Sequence, residues 1–359
     1  MKKLFALLFV LVAGFVLVSC GNQAKEIAMI TDTGDIDDGS FNEGTWKGIQ
    51  KYAEEHNKKA QYYKPGGETT GDYLAAIDLA VAGGAKIVIT PGFYFEVPVF
   101  QAQTKYPDVK FVILDGAPHS GDYNNVINEN TLSIFFKEEE SGFLAGYATY
   151  LDGKTKLGFM GGIAVPAVQR FGIGWVAGAY YAAKEKGDAN YAYDPANYTY
   201  LGDFGPKAEF ATMAGTWYDR GVEAIHAAAG GAGLSVMSAA TSRTNKWVIG
   251  VDSYQSGDSN TVLSSAVKGV GTAAYEALED FYNGTFQGGK SITLGAKEDA
   301  VGLPMATSRF TSFNEAKYDE IFGKVKSTLA VPNDAAKLKT FIEGLGYTFP
   351  EGLSEAIAG

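Results

Sequence analysis

A chain of 359 residues, 46% hydrophobic and 20% charged, has the composition of an ordinary globular protein and the length of roughly two domains. Cores of that size need no disulfide or metal, and the single cysteine, Cys20, rules out a disulfide framework. The net charge of −11 is spread along the chain, which excludes the basic footprint of a nucleic-acid-binding protein and any charge-driven attraction to an anionic membrane surface.

At the N-terminus, Lys2 and Lys3 precede an apolar run from Leu4 to Val18. This is the basic and apolar pattern of a secretory signal, and the run is shorter than the roughly 20 residues a spanning helix needs. Leu17-Val18-Ser19-Cys20 resembles the bacterial lipobox, in which cleavage before the cysteine leaves its sulfur to carry diacylglycerol. Residues 1–19 are therefore expected to be a lipoprotein signal peptide, with 20–25 a lipidated linker. Acyl chains contribute about 0.8 kcal/mol per buried methylene, enough together to hold the protein on a bacterial membrane outside the cytoplasm. The plainer reading is an ordinary signal or anchor with an incidental cysteine.

Beyond the linker, strand-length apolar runs alternate with helical patterns, the signature of βαβ units and parallel sheets. Glu26–Ile30 reads as a first strand. Ser40 and Glu43 fit a capping box ahead of a helix carrying Trp46, Ile49 and Ala53 at spacings of three and four. Leu74, Ile77 and Val81 mark the next helix. Lys86–Thr90 and Lys110–Leu114 read as buried strands stopped by Pro91-Gly92 and Asp115-Gly116. The second half repeats the theme with strands at Lys156–Met160, Tyr198–Leu201, Val222–His226, Trp247–Val251 and Val262–Val267, then a helix over Thr272–Tyr282. No repeat of fixed period is present.

Ligands of open parallel sheets bind beyond the carboxyl ends of the strands, where Asp32, Gly92, Asp115, Gly161, Phe204, Gly230, Asp252 and Lys268 fall. Turn chemistry alone accounts for an Asp or a Gly at one strand end, but not for a lysine beside two aspartates. The acidic stretch Thr31–Glu43 fails as a calcium loop: counted from Asp35, the position that needs glycine is Ser40 and the one that needs glutamate is Trp46. It reads instead as a helix entry that presents Phe41 and Asn42. Gly172-Ile173-Gly174-Trp175-Val176-Ala177 matches a loose dinucleotide fingerprint but follows no strand, and is better read as a helix start with small packing residues. There is no P-loop, no G-x-S-x-G elbow and no zinc spacing among His56, His119 and His226. The chain thus reads as a binding protein without a cofactor, and an enzyme is the minority reading.

Asp37-Asp38-Gly39-Ser40-Phe41-Asn42, Val112-Ile113-Leu114-Asp115, Gly142-Phe143-Leu144-Ala145-Gly146, Ile249-Gly250-Val251-Asp252 and Ser264-Ser265-Ala266-Val267-Lys268 together resemble the basic membrane protein family of bacterial lipoproteins, across nearly the whole mature chain. The resemblance implies an α/β, type I periplasmic-binding-protein-like fold: two Rossmann-like lobes joined by hinge crossovers, with ligand between them. Residues 26–135 plus 262–300 are expected in the N-terminal lobe, and 136–261 plus 301–359 in the C-terminal lobe. It also implies a purine nucleoside whose ring stacks between Phe41 and Phe204. Asp32, Asn42 and Asp115 would face it from one lobe, Asp252 and Lys268 would grip the ribose, and Gly230 would offer backbone. The implied partner is an ABC-type permease. Gly230–Ser235 lacks the family's threonine, and the tyrosine-rich stretch 191–200 is longer than usual. Other readings of such a cleft are a sugar-binding or sensor lipoprotein, or a surface adhesin.

Overall fold

The computed structural model describes residues 25–359; the expected signal segment and Cys20 lie outside the described residues. The first half runs β1 (Ile27–Ile30), α1 (Phe41–Glu55), β2 (Ala60–Tyr63), α2 (Thr70–Ala82), β3 (Ile87–Pro91), α3 (Glu96–Lys105), β4 (Lys110–Leu114) and β5 (Thr131–Phe136). The second continues with α4 (Glu138–Leu151), β6 (Leu157–Gly161), α5 (Pro166–Lys186), β7 (Tyr198–Tyr200), α6 (Ala208–Asp219), β8 (Ala224–Ala228), α7 (Gly233–Thr241), β9 (Trp247–Asp252) and β10 (Val262–Lys268). The chain then returns through α8 (Val270–Asn283), β11 (Lys290–Leu294), β12 (Val301–Gly302), α9 (Glu315–Ser327), α10 (Ala335–Gly344) and α11 (Leu353–Ala358).

The strands form two six-stranded sheets in the same spatial order, β11-β5-β4-β3-β1-β2 and β12-β10-β9-β8-β6-β7. All pairs are parallel except β12 against β10. Strands such as β1 and β3 are apolar without alternation because helices cover both faces of the sheet. One face of the first sheet packs on α1 and α8, the other on α2 and α3. The second sheet lies between α4, α5 and α9–α11 on one side and α6 and α7 on the other. In each sheet the winding reverses between the first and third strands, and this switch point opens a crevice at their carboxyl ends.

Three crossovers join the lobes, and two of them exchange helices. After β5 the chain leaves the first sheet and lays α4 on α5; after β10 it returns and lays α8 on α1. Glycines bring both helix pairs into backbone contact. A Cβ on Gly142 or Gly146 would sit 2.2 or 2.1 Å from the carbonyl oxygens of Phe171 and Trp175, and one on Gly174 or Gly178 would sit 2.1 or 2.0 Å from those of Glu139 and Phe143. A Cβ on Gly48 would meet the Gly271 carbonyl at 2.0 Å. The fingerprint-like glycines are thus packing residues, in the middle of α5 and not at its start.

One lobe boundary is corrected. Val262–Lys268, expected in the first lobe, pairs with β9 in the second sheet; only the chain from α8 to β11 rejoins the first. An apolar strand reads alike in either sheet, and its partner decides its lobe. The expected strand Val222–His226 lies two residues later, at Ala224–Ala228.

Gly178→Ala is expected to lower the stability of the chain by about 1–3 kcal/mol in urea denaturation, because the opposing atom is backbone and cannot swing away. Gly323→Ala, on the exposed side of α9 with nothing within 4 Å, is expected to gain about 0.5–1 kcal/mol. Equal stability of Gly178→Ala and the unsubstituted chain would contradict the helix seam.

Candidate functional site

The first-lobe wall begins where β1 ends. Ser40 occupies the N-cap position of α1, yet its side chain caps nothing. Asp38 caps in its place: Oδ1 accepts from the amides of Ser40 at 2.8 Å and Glu43 at 3.1 Å, and Oδ2 from the Asn42 amide at 3.0 Å. Glu43 accepts from the Gly39 amide at 2.8 Å, so the expected Ser40–Glu43 capping box is replaced by an Asp38 cap. A carboxylate two residues before the N-cap reaches three amides where a hydroxyl reaches one, and this leaves the Ser40 hydroxyl free for another partner.

Asn42 is buried between two carboxylates. Its Nδ2 donates to Asp32 Oδ1 at 2.8 Å and to Asp38 Oδ2 at 2.9 Å, and its Oδ1 accepts from the Asp32 amide at 3.2 Å. Both amide hydrogens are therefore committed, and Asn42 acts on the crevice chiefly by orienting Asp32. Burial pushes the Asp32 carboxyl up to about 6, against the opposing effect of hydrogen bonds from Gly34 and Asn42. Burial also raises Asp38.

Asp115 follows β4 and Asp252 ends β9, equivalent places in the two sheets. Both take left-handed backbone conformations, φ +58° and +61°, which Asp tolerates better than most residues and which recur here at the same corner of each lobe. Each carboxylate keeps one buried oxygen, Oδ1, with no hydrogen-bond partner. Between them lies Lys268 at the end of β10, 4% exposed. Its ammonium pairs with Asp115 Oδ2 and stands 3.4 Å from Glu138 Oε1 and 3.6 Å from Asp252 Oδ1. It also lies 4.6 Å from the centre of the Phe41 ring. Burial acts to strip the Lys268 proton, but Asp115, Asp252 and Glu138 more than offset this and hold its pKa above the ordinary lysine value. Arg170 Nε donates to the other oxygen of Glu138 at 2.6 Å.

The apolar part of the crevice comes from four phenylalanines, Phe41 and Phe93 in the first lobe and Phe171 and Phe204 in the second, with Val165–Val168. Phe204 sits on two glycines. A Cβ on Gly162 would come within 2.3 Å of its ring, and one on Gly230, at φ +54°, would meet its side chain at 3.6 Å. The Phe204 carbonyl accepts from the Ala232 amide at 2.7 Å, fixing the loop.

The eight residues singled out from sequence, Asp32, Phe41, Asn42, Asp115, Phe204, Gly230, Asp252 and Lys268, all line this one crevice of about 760 Å³, mouth included. Sequence reasoning missed Asp38, Phe93, Phe171, Glu138 and Arg170. The only signal for Glu138 was the acidic run Glu138–Glu140 beside a crossover, which reads as solvated until burial is known. The histidines stay outside: His56 is exposed, His226 is buried beneath Phe159 and Phe171, and His119 is buried against Glu96 at 3.0 Å. Among the described residues no His, Cys, Asp or Glu group could hold a metal ion. The crevice lining holds no serine, cysteine or histidine. What it offers is flat apolar faces from both lobes and, at one end, carboxylate acceptors around a fixed cation. That combination is chemically suited to a flat ring bearing hydrogen-bond donors.

A family model described as ABC transporter substrate-binding protein PnrA-like matches residues 25–332. The ABC transporter nucleoside-binding protein BmpA of Lactococcus lactis subsp. cremoris is 32% identical over 324 residues, covering 83% of this chain and 87% of that protein. Basic membrane protein D of Borreliella burgdorferi is 31% identical over 338 residues, covering 89% and 92%. A crystal structure of an ABC transporter solute-binding protein from Aeropyrum pernix superposes with a TM-score of 0.72 at 23% identity, covering 92% of this chain and 98% of the other, which shows the shared fold of two Rossmann-like lobes. The chain belongs to the Bmp family of PnrA-like substrate-binding proteins, whose work is to bind a solute for an ABC importer and not to transform it.

Proposed function

We propose that the solute is a nucleoside with a purine base, captured between the lobes of an exported, lipid-anchored protein and handed to the permease of an ABC importer. The observation that carries this reading is the pairing, in one crevice, of Phe41 and Phe204 with two carboxylates that flank Lys268 and each keep an oxygen without a hydrogen bond. A purine presents two flat faces, and phenylalanine rings bury such faces with few restricted torsions. Vicinal ribose hydroxyls are donors, and a carboxylate accepting from them makes charge-assisted bonds. Asp32 serves the base edge. The nucleoside-binding relative in Lactococcus lactis supports the same reading, and the basic membrane proteins in the family support an extracytoplasmic place at a membrane.

Calorimetry with guanosine, inosine and adenosine is expected to show binding, with free ribose much weaker and no free base released on chromatography. Asp252→Ala removes a charge-assisted acceptor and is expected to weaken binding by about 10–100-fold. Unchanged affinity in that variant would remove Asp252 from the ligand's grip.

The folded pKa of Asp32, about 6, lies above its ordinary 3.8. The stability this group contributes to the ligand-free protein is therefore present at low pH and lost as pH rises through that window. The ionised carboxylate accepts from a ligand more strongly than the neutral acid, so nucleoside affinity runs the other way and is expected to rise between about pH 5 and 7. In Asp32→Asn that rise should shrink, and affinity at neutral pH should fall. An affinity independent of pH in the unsubstituted chain would show that Asp32 does not receive a ligand donor.

Mass spectrometry of the chain purified from membranes is expected to show diacylglycerol on Cys20, and Cys20→Ser to release it into the soluble fraction. Retention of the variant on membranes would point to another anchor.

A further inference from the structure

The Ser40 hydroxyl, spared from capping α1, reaches across the cleft. It donates to Asp252 Oδ2 at 2.7 Å, and Ser40 is fully buried. Two further bonds join the same two segments. Ser253 Oγ donates to the Ser40 carbonyl at 3.1 Å, and Gln255 Nε2 donates to the Gly39 carbonyl at 3.1 Å. The other end of the Gln255 amide, Oε1, accepts from the Val251 amide at 2.8 Å, and Gln255 is 2% exposed. Its seat depends on Gly250, where a Cβ would fall 2.3 Å from Gln255 Oε1. The helix entry of the first lobe and the end of β9 in the second are thus tied by three hydrogen bonds at the edge of the crevice.

We infer that Ser40 is a positioning residue for Asp252 and that Gly39–Ser40 and Asp252–Gln255 form a latch coupling lobe closure to the grip on the ligand. The coupling follows from geometry. Oδ2 of Asp252 is held by the opposite lobe, while Oδ1 makes no hydrogen bond and stands 3.6 Å from Lys268 in a residue that lines the crevice, so closing the lobes sets the angle at which Oδ1 can meet a ligand donor. Opening removes the Ser40 bond and releases that carboxylate. A ligand that engages Asp252 is in turn bound best by the closed form, which is the differential affinity a population shift requires. The identity of the ligand rests on the nucleoside reading; the latch itself does not.

The test has two arms on the full chain. Interlobe distances are measured by electron–electron resonance in the ligand-free protein, with spin labels on non-natural residues at exposed positions of α2 and α6. Ser40→Ala and, more mildly, Ser253→Ala are expected to shift the distribution toward longer distances. Stopped-flow kinetics with inosine are then expected to show dissociation about 10–100-fold faster in Ser40→Ala, association changed by less than about twofold, and recovery toward the original rate in Ser40→Thr. A residue that merely supported the fold would lower the melting temperature without this split. Unchanged distances together with an unchanged dissociation rate in both alanine variants would overturn the latch. Longer distances in a protein that binds no nucleoside would overturn the ligand reading and leave the latch standing.

Discussion

Lys268 carries its charge at a point almost wholly buried, at the root of the second crossover, and three carboxylates from separate elements converge on it. Asp115 comes from the first lobe, Asp252 from the second, and Glu138 from the first crossover, where Arg170 holds its other oxygen. Removing one partner of a buried ion pair typically costs about 3–5 kcal/mol, because the remaining charge is left without compensation. The cluster therefore constrains both lobes at once. Its carboxylates outnumber its nearest cation, and Oδ1 of Asp115 and Oδ1 of Asp252 are left without a hydrogen bond in two residues that line the crevice.

The two lobes are built to the same plan, and the site inherits its symmetry from that plan. Each sheet has the same strand order, each places an aspartate in a left-handed turn after the fourth strand of its half, and each receives a helix from the other lobe's chain. The exchanged helices approach to backbone contact because glycines face carbonyls across both seams. Close seams let α4 and α8 move as part of the lobe they join, so bending concentrates in the short crossovers beside Lys137 and Gly269. There Lys137 donates its amide to Leu294 and Gly269 to Ala300, at 2.9 and 2.7 Å, tying the crossovers to the third strand of chain between the lobes. Hinge closure of this kind is the usual way two-lobed receptors enclose a ligand.

Much of this was legible in the sequence. Continuous apolar runs located the buried strands β1, β3, β4, β6, β9 and β10, since burial on both faces demands such runs. The half-exposed strands β2 and β11, with polar Gln61 or Ser291 among them, carry no such signal and were not read. The strand β5 was missed for a different reason: Thr131 and Ser133 interrupt its apolar pattern although both are buried. In the site, residues at strand tips were found because strand ends are where parallel sheets bind ligands. Phe93 and Phe171 were not, because one sits in a single helical turn after β3 and the other inside α5, where an aromatic reads as core. Ser40 was read as a cap from its position, and only the third dimension shows that Asp38 had taken that role. The lobe assignment of Val262–Lys268 likewise depends on which strand it pairs with, information that no local pattern contains.

A crystal structure of the full chain grown with guanosine bears most directly on the central proposition, that the carboxylates around Lys268 grip the sugar while phenylalanines from both lobes hold the base. The expected result is a base between Phe41 and Phe204, with ribose hydroxyls about 3 Å from carboxylate oxygens of Asp115 and Asp252. A nucleoside bound elsewhere, or with its sugar turned away from both aspartates, would contradict it.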